Sequence, residues 1–334
     1  SGGTRRATTD EEGRDADEYC QSDPNGEEGA LFHGPPDPPA SPPPEVPDRQ
    51  GRWKGLVDSD SVPPMIDTSR FRIAPGEAVD LAEHDPRDLA GFTGSKAEGK
   101  AAIEEQSHRL DALQEHLYAD GSHRVLLVLQ AMDTAGKDST IRHVFGAVDP
   151  IGVRVASFKK PSTRELSHDY LWRVHSQVPG NGEIVIFNRS HYEDVLVVRV
   201  RSLVPEERWR RRYDHIRSFE ALLADEGTTI VKCFLNVSKE AQAERLTARL
   251  EDPSKQWKFR KGDLAERALW DDYMAAYEEA IATTSTPNAP WFVVPADRKW
   301  YRNLVVGQIL IDTLEGLDMS YPEPEEDLDG VVVI

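Results

Sequence analysis

One short segment near the middle of the chain, residues 123–140, limits the possible fold more than any other. Residues 125–129 form a compact apolar run, residues 134–136 a turn of small residues, and Lys137 opens a helix-compatible segment. Successive backbone N–H groups in such a turn, together with a helix N-terminus and a lysine, form an anion site. The order of strand, turn and helix therefore predicts a loop that holds phosphate.

The loop departs from the usual pattern of Gly, four residues, Gly-Lys and then Ser or Thr. Ala131 replaces the first glycine, and Asp138 stands where the metal-binding hydroxyl is usual. A carboxylate such as Asp133 is unfavourable beside bound phosphates unless it holds a metal or orients a reacting group. These departures argue against a standard ATP site. The remaining residues that we expect to contact phosphate are Thr134, Ala135, Gly136, Asp138, Ser139 and Thr140.

The acidity of the chain is concentrated near its ends. The formal net charge is −19; residues 1–66 hold 6 Lys and Arg against 14 Asp and Glu, and residues 315–334 hold 7 Asp and Glu without a Lys or Arg. The stretch between them carries only −4 of the total, so it can still concentrate positive potential in one cleft. We predict a disordered, Pro- and Gly-rich acidic tail at 1–66, a catalytic domain at 67–317 and an acidic tail at 318–334.

Cysteine usage and hydropathy indicate the compartment. Cys20 and Cys233 form neither a disulfide framework nor a zinc pattern. No apolar run approaches the roughly 20 residues of a membrane span, and the first thirty residues are too acidic and polar for a secretory signal. We expect a cytoplasmic protein without membrane or nucleic-acid partners.

Alternation of strand and helix patterns predicts the fold class. Strands are predicted at 125–129, 152–158, 183–187, 228–237 and 291–294, and helices at 95–118, 164–178, 205–225, 239–250, 263–283 and 298–317. This order implies a parallel sheet covered on both faces. The prediction is a P-loop kinase-like, three-layer α/β/α fold with a five-stranded parallel sheet and a mobile helical lid at about 249–283.

Two further stretches carry candidate functional residues. Asn188, Arg189 and Glu193 follow the third predicted strand, where phosphotransferases place groups that bind metal and neutralise phosphoryl charge; a helix N-cap is the alternative. Residues 249–261 interleave cations with aromatic side chains, which suits a surface closing over phosphates and a base. A solvated basic loop is the alternative there. The candidates in this second stretch are Arg249, Lys255, Trp257 and Lys258.

Together these stretches resemble the family-2 polyphosphate kinases. The resemblance is carried by residues 131–138, 158–162, 168–173, 187–200 and 252–258, and it extends over about 87–317. It implies a thymidylate-kinase-like fold that transfers phosphoryl groups between inorganic polyphosphate and nucleotides with Mg²⁺. Asn188, in place of an aspartate, resembles the subgroup that accepts AMP as well as ADP. A homo-oligomer is a further expectation from the family.

The resemblance also implies roles for individual residues. Lys137 would hold the transferred phosphate, and Asp133 would orient the acceptor or ligate Mg²⁺, with Asn188 and Glu193 as further candidate metal ligands. Arg189 and Arg249 would neutralise the transition state, and Lys159 and Arg199 would lie on the phosphate path. Positioning and charge neutralisation dominate such catalysis.

Three functions are weighed. The leading hypothesis is a polyphosphate phosphotransferase that converts AMP to ADP and ADP to ATP. An ATP-dependent nucleotide kinase on the same architecture is the first alternative. A non-catalytic nucleotide-sensing module is the second, although the concentration of Asp133, Lys137, Arg189 and Glu193 argues against mere binding.

Overall fold

A six-stranded sheet forms the centre of the protein in a computed structural model, which describes residues 66–89, 91–324, 326–327 and 331–332. The predicted tail at 1–66 lies outside the described residues except for Ile66, as does part of the tail at 318–334. The spatial order of the strands is β1-β6-β5-β2-β4-β3. Their bounds are β1 Arg72–Ile73, β2 Arg124–Gln130, β3 Val153–Ser157, β4 Ile184–Asn188, β5 Thr228–Asn236 and β6 Trp291–Pro295.

The five predicted strands are all present and parallel, and the predicted fold class is confirmed. The sheet differs from the prediction by one strand, since β1 adds an antiparallel edge strand beside β6. This strand has only two residues, too short to show a period in the sequence. β2 lies between β5 and β4, and residues 125–129 have no exposed surface. A strand covered on both faces accounts for the continuous apolar run.

Helices cover both faces of the sheet. α1 Lys96–Asp120, α2 Lys137–Val144 and α10 Lys299–Glu315 pack together, whereas α5 Val197–Val200, α6 Glu206–Asp225 and α9 Trp270–Thr284 form a second group. The remaining helices are α3 Thr163–Leu166, α4 Trp172–His175, α7 Lys239–Glu251 and α8 Lys261–Ala268. In the part of the chain that the structure describes, no helix has both the length and the apolarity to cross a membrane.

The predicted helix at 164–178 is wrong as one element, because it divides into α3 and α4. The Asp169 carboxylate accepts hydrogen bonds from the backbone N–H groups of Leu171 (2.9 Å) and Trp172 (3.1 Å). An aspartate that binds N–H groups two and three residues ahead starts a new helical turn instead of continuing the preceding one.

The predicted lid at 249–283 contains two different kinds of structure. No residue of 252–268 is buried, including those of α8. α9, in contrast, buries Trp270, Tyr273 and Tyr277 in the hydrophobic core. Movement of a lid stays a prediction, and residues 252–268, none of which is buried, are better suited to it than α9 because fewer apolar contacts would be lost.

Candidate active site

The site lies at the carboxyl ends of the central parallel strands. Leu129 of β2 is in register with Asn188 of β4, and the backbone N–H of Arg189 donates to the carbonyl of Leu129 (3.1 Å). The loop at 131–136 and the segment at 188–194 therefore leave the sheet side by side. Such an edge is where open parallel sheets bind ligands.

The phosphate loop has a backbone conformation that depends on a glycine. Thr134 and Gly136 have φ of 65° and 109°, in the left-handed region. A Cβ atom at Gly136 would lie 2.1 Å from Nη1 of the buried Arg302, so a larger residue is excluded both by conformation and by space. No side chain caps the start of α2. The first N–H groups of this helix are thus available to an anion.

Three side chains hold the loop by its carbonyl oxygens. Gln242 donates to the carbonyl of Asp133 (3.0 Å), Arg245 to those of Thr134 and Ala135 (both 3.1 Å), and Arg302 to that of Ala135 (2.7 Å). The C=O and N–H of a trans peptide point in opposite directions. The N–H groups of Thr134 and Gly136 therefore point away from these three side chains, which leaves them directed toward a ligand.

Lys137 folds back over the loop. Its Nζ donates to the carbonyl oxygen of Ala131 (2.7 Å) and lies 3.5 Å from that of Met132. Burial and the nearby Arg189 lower the pKa of Lys137 to about 8, although the carboxylates of Asp133, Glu193 and Asp138 act in the opposite direction. A phosphate that approaches Lys137 would therefore stabilise its protonated ammonium group.

Arg189 links the two carboxylates of the site. Its Nη2 donates to Oδ1 of Asp133 (2.8 Å), and its Nη1 lies 3.6 Å from Oε2 of Glu193. Burial disfavours the guanidinium charge, but Glu193 and Asp133 more than offset this and raise the pKa of Arg189. Arg189 itself has φ of 63°. A non-glycine residue in this region is strained, as is common where a side chain must be aimed at a ligand.

Glu193 is the most enclosed carboxylate of the cluster. Burial raises the pKa of Glu193, while Arg189 and Lys137 lower it and Asp133 raises it further. In the amide orientation that satisfies both of its ends, Gln130 donates to Oε1 of Glu193 (3.1 Å) and accepts from Ser190. Glu193 is thereby fixed from both sides.

The two departures from the usual motifs face each other. Nδ2 of Asn188 donates to Oδ1 of Asp138 at 2.6 Å. Asp138 thus supplies a carboxylate next to Asn188, which itself stands in place of an aspartate. Within the same helix, Ser139 contacts His143, and the buried Oγ1 of Thr140 has no hydrogen-bond partner among the described residues, as is true of the Thr134 hydroxyl.

Only part of the predicted lid stretch approaches the cluster. Nη1 of Arg249 lies 3.8 Å from Oδ2 of Asp263, and burial followed by repulsion from Asp133 raises the pKa of Asp263. Asp133 is thus among the charges that act on Asp263. Lys255 instead pairs with Asp252, and Lys258 lies 4.9 Å from the ring of Trp257, which is 77% exposed.

Two predicted residues have other surroundings in the structure. Lys159 is exposed, and its backbone carbonyl accepts from Arg173 (2.8 Å). Arg199 pairs with Glu279 of α9 (2.6 Å) and lies over the ring of Trp209 (4.8 Å). Arg199 is therefore engaged with α9 in this structure, and its place on a phosphate path stays a prediction.

Four residues of the site were not predicted from the sequence: Gln242, Arg245, Arg302 and Asp263. The first two lie in a helix that was correctly predicted, and Arg302 lies in the first turn of α10. The one sequence feature that Arg245 and Arg302 share is that they follow β5 and β6, whose carboxyl ends lie at the same edge as the phosphate loop, and this does not show where their side chains point.

Comparison with known proteins agrees with this geometry. A family model described as polyphosphate kinase 2 (PPK2) matches residues 93–322. The chain belongs to the polyphosphate kinase 2 family. The match includes the phosphate loop, Arg189, Glu193 and the segment 252–268.

Relatives in the polyphosphate kinase 2 family cover most of the chain. The AMP/ADP-polyphosphate phosphotransferase of Meiothermus ruber is 57% identical over 264 residues, which are 79% of this chain and 99% of the relative. The ADP-polyphosphate phosphotransferase of Rhodopseudomonas palustris is 46% identical over 270 residues, 77% of this chain and 93% of the relative. The crystal structure of polyphosphate kinase 2 from Arthrobacter aurescens TC1 has a TM-score of 0.77 at 49% identity, covering 79% of this chain and 94% of that one.

Proposed function

We propose that this chain transfers the terminal phosphoryl group of inorganic polyphosphate to AMP and ADP, reversibly, giving ADP and ATP. The observation that carries the proposal is the convergence of Lys137, Arg189 and Asp133 at a phosphate loop. Similarity to the Meiothermus ruber enzyme over most of both chains supports the same substrates. A cytoplasmic location and a homo-oligomeric state remain part of the proposal.

The reaction exchanges one phosphorus–oxygen bond for another. An oxygen of the acceptor's terminal phosphate attacks the end phosphorus of polyphosphate, and the bond to the next bridging oxygen breaks, which leaves a chain one unit shorter. Lys137 and the loop N–H groups neutralise charge on the transferred group. Arg189 neutralises charge as it develops, and Asp133 holds Arg189 in position (2.8 Å). Such transfer depends mainly on positioning and electrostatic stabilisation.

We further propose that Mg²⁺ takes part. Mg²⁺ is usually bound through one or two carboxylates, with phosphates and waters completing its ligands. The described residues contain no cluster of three potential His, Cys, Asp or Glu metal ligands, which agrees with a metal held largely by substrate. Asp133 and Glu193 are candidate ligands, and Asp138 supplies the carboxylate that Asn188 lacks. When bound, the metal would neutralise phosphate charge.

The activity is tested by nucleotide chromatography after incubation with AMP or ADP, Mg²⁺ and either polyphosphate or ATP as sole donor. We expect polyphosphate-dependent formation of ADP and then ATP, and loss of product when EDTA removes the metal. Activity on ADP but not AMP would contradict the AMP assignment that rests on Asn188. Product only from ATP would instead favour a nucleotide kinase, and no turnover by folded protein that binds nucleotide would favour a sensing role.

The lowered pKa of Lys137 predicts the pH dependence. Since kcat/KM for polyphosphate reports ionisation of the enzyme before polyphosphate binds, it is expected to fall as pH rises through about 8, where Lys137 loses its proton. Bound phosphate stabilises the ammonium, so kcat should fall only at higher pH. Steady-state kinetics at saturating nucleotide, from about pH 6 up to about 10.4, the ordinary pKa of lysine, test this. A kcat/KM that stays constant throughout would contradict it.

A further inference from the structure

The buried side chain of Gln242 lies between the phosphate loop and helix α8. Gln242 is only 1% exposed. Its Nε2 donates to the backbone carbonyl of Asp133 (3.0 Å), and its Oε1 accepts from Nη1 of Arg267 in α8 (2.9 Å). Both ends of one amide are therefore used, one toward the loop and the other toward α8.

The chemistry of the two partners permits only one orientation of this amide. A backbone carbonyl can only accept a hydrogen bond, and a guanidinium can only donate one. Turning the amide over would place its oxygen against the carbonyl of Asp133 and its NH2 group against Arg267, and both hydrogen bonds would be lost in a buried position. Arg267 therefore fixes the orientation in which Gln242 donates to the loop.

Polar contacts, and not the hydrophobic core, hold α8 in place. None of its residues is buried. Arg267 also donates to the carbonyl of Lys239 (2.6 Å), and the neighbouring Glu266 accepts from Arg201 (2.7 Å). The position of α8 thus depends on contacts of this kind, and the contact of Arg267 continues to the phosphate loop.

The hydrogen bond from Gln242 affects groups that the proposed reaction uses. It holds the carbonyl of Asp133 and with it the plane of the peptide between Asp133 and Thr134, which sets the direction of the Thr134 N–H. The carboxylate of Asp133 in turn accepts from Nη2 of Arg189 (2.8 Å). A shift of Gln242 would therefore move both an N–H group directed toward phosphate and the partner of Arg189.

We propose that Arg267 and Gln242 are positioning residues, through which α8 keeps the phosphate loop in its catalytic orientation. The effect on turnover rests on the proposed function, whereas the link between α8 and the loop is a property of the free protein. Neither side chain has to touch substrate. Because a misplacement of about 1 Å can lower a rate about 100-fold, such a link can affect kcat without contributing to substrate binding.

The first test measures kcat and KM for the variant Arg267→Met, which keeps a long side chain but cannot donate to Gln242. We expect kcat for phosphorylation of ADP to fall about tenfold, because the loop is less well oriented. The KM values for ADP and polyphosphate should change by less than about twofold. Arg267→Lys keeps a donor and should recover part of the lost kcat. A rise in KM with kcat unchanged would contradict the proposal.

Arg154→Met is the matched control. Arg154 donates to Oε1 of Gln177 (3.1 Å), so it forms the same kind of bond, and it also pairs with Glu183, which precedes β4 at the end opposite the site. Its kcat should equal that of the wild type. Thermal unfolding of both variants compares their stability, and the proposal is overturned if kcat falls equally in both.

A double variant shows whether the two residues act through one link. Gln242→Met removes both hydrogen bonds of the amide and should also lower kcat about tenfold. Because Arg267 is expected to act through Gln242, the variant Gln242→Met/Arg267→Met should be no more than about twofold slower than the slower single variant. A fall of about 100-fold, the product of the two single effects, would show independent roles and overturn the proposal.

Hydrogen exchange tests the link without any substrate. The backbone N–H groups of Ala135 and Thr140 donate to carbonyl oxygens of the loop (3.3 and 2.8 Å), so they exchange when the loop opens. Mass spectrometry should show faster exchange in residues 131–140 for Arg267→Met but not for Arg154→Met, and equal exchange would overturn the link. Absence of polyphosphate turnover by the wild type would refute the proposed function, and the exchange result would still decide whether the link exists.

Discussion

Replacing Arg189 by alanine is expected to lower kcat for polyphosphate-dependent phosphorylation of ADP by about 1,000-fold or more, the range seen when an arginine that stabilises a phosphoryl transition state is removed. The guanidinium lies between Asp133 (2.8 Å) and Glu193 (3.6 Å), beside the phosphate loop. Without it, the two carboxylates would face the transferred phosphate with less positive charge to offset them. Initial rates at saturating ADP and polyphosphate measure the effect.

Two further variants separate charge from geometry. Arg189→Lys keeps the charge but cannot contact both carboxylates at once, so we expect it to recover only part of the lost rate. Arg109→Ala is the control, because it removes a surface arginine of α1 that pairs with Glu315, the last residue of α10. A kcat for Arg189→Ala within a few-fold of the wild type would exclude Arg189 from transition-state stabilisation.

The local part of the site could be predicted from the sequence because it is built from short, contiguous segments. The phosphate loop follows a strand whose apolar residues have no exposed surface, and the register of Leu129 with Asn188 brings the second motif beside it. The alternation of strands and helices, and the rule that ligands bind at the carboxyl ends of parallel strands, were sufficient to predict both the phosphate loop and the segment after β4.

The supports of the loop could not be predicted in the same way. Arg245 and Arg302 reach the carbonyl of Ala135 from residues more than 100 positions away in the chain. Both lie in helices where the sequence pattern indicates only which face is apolar, and neither belongs to a recognisable motif. A long cation on a helix can face solvent or the loop, and only the tertiary packing decides between these.

The sequence pattern likewise did not predict which charges pair in the stretch 249–261. Interleaved cations and aromatics predicted one surface closing over substrate, but the structure divides them. Arg249 lies 3.8 Å from Asp263, whereas Lys255 pairs locally with Asp252 and Trp257 faces solvent. A closing movement would have to bring Lys255 and Trp257 toward the loop. No residue of 252–268 is buried, so such a movement would break few core contacts.

Replacing Lys232 by methionine is expected to destabilise the protein by about 3–5 kcal/mol, because it leaves a buried carboxylate without its partner. Lys232 lies in the central strand β5 with no exposed side-chain surface, and its Nζ donates to Glu220 (2.6 Å), to the hydroxyl of Tyr192 (2.9 Å) and to the carbonyl of Thr284 (2.8 Å). Urea unfolding followed by circular dichroism measures the loss. Lys239→Met, at a weak ion pair on the surface, is the matched control and should change stability by less than about 0.5 kcal/mol.

The same network supports the catalytic segment, so stability and activity should fall together. Glu220 also lies 3.2 Å from Nε2 of His191 and accepts from the hydroxyl of Tyr192 (2.8 Å), two residues that stand between Arg189 and Glu193 in the chain. The double variant Lys232→Met/Glu220→Gln removes both charges and should recover part of the lost stability. If it is no more stable than Lys232→Met alone, the unpaired carboxylate is not the cause.

The pH dependence of the difference in stability between the wild type and the double variant provides an independent check. Burial alone would raise the pKa of Glu220, but Lys232 and His191 outweigh it, so the pKa lies below its usual value. A carboxylate with a lowered pKa stabilises the fold above its unfolded pKa of about 4.3, and the contribution is lost as pH falls through the folded value. The free energy of unfolding of the wild type should therefore exceed that of the double variant by a constant amount near neutral pH, and the difference should shrink below about pH 4. A difference that grows on acidification would rule out an ionised pair.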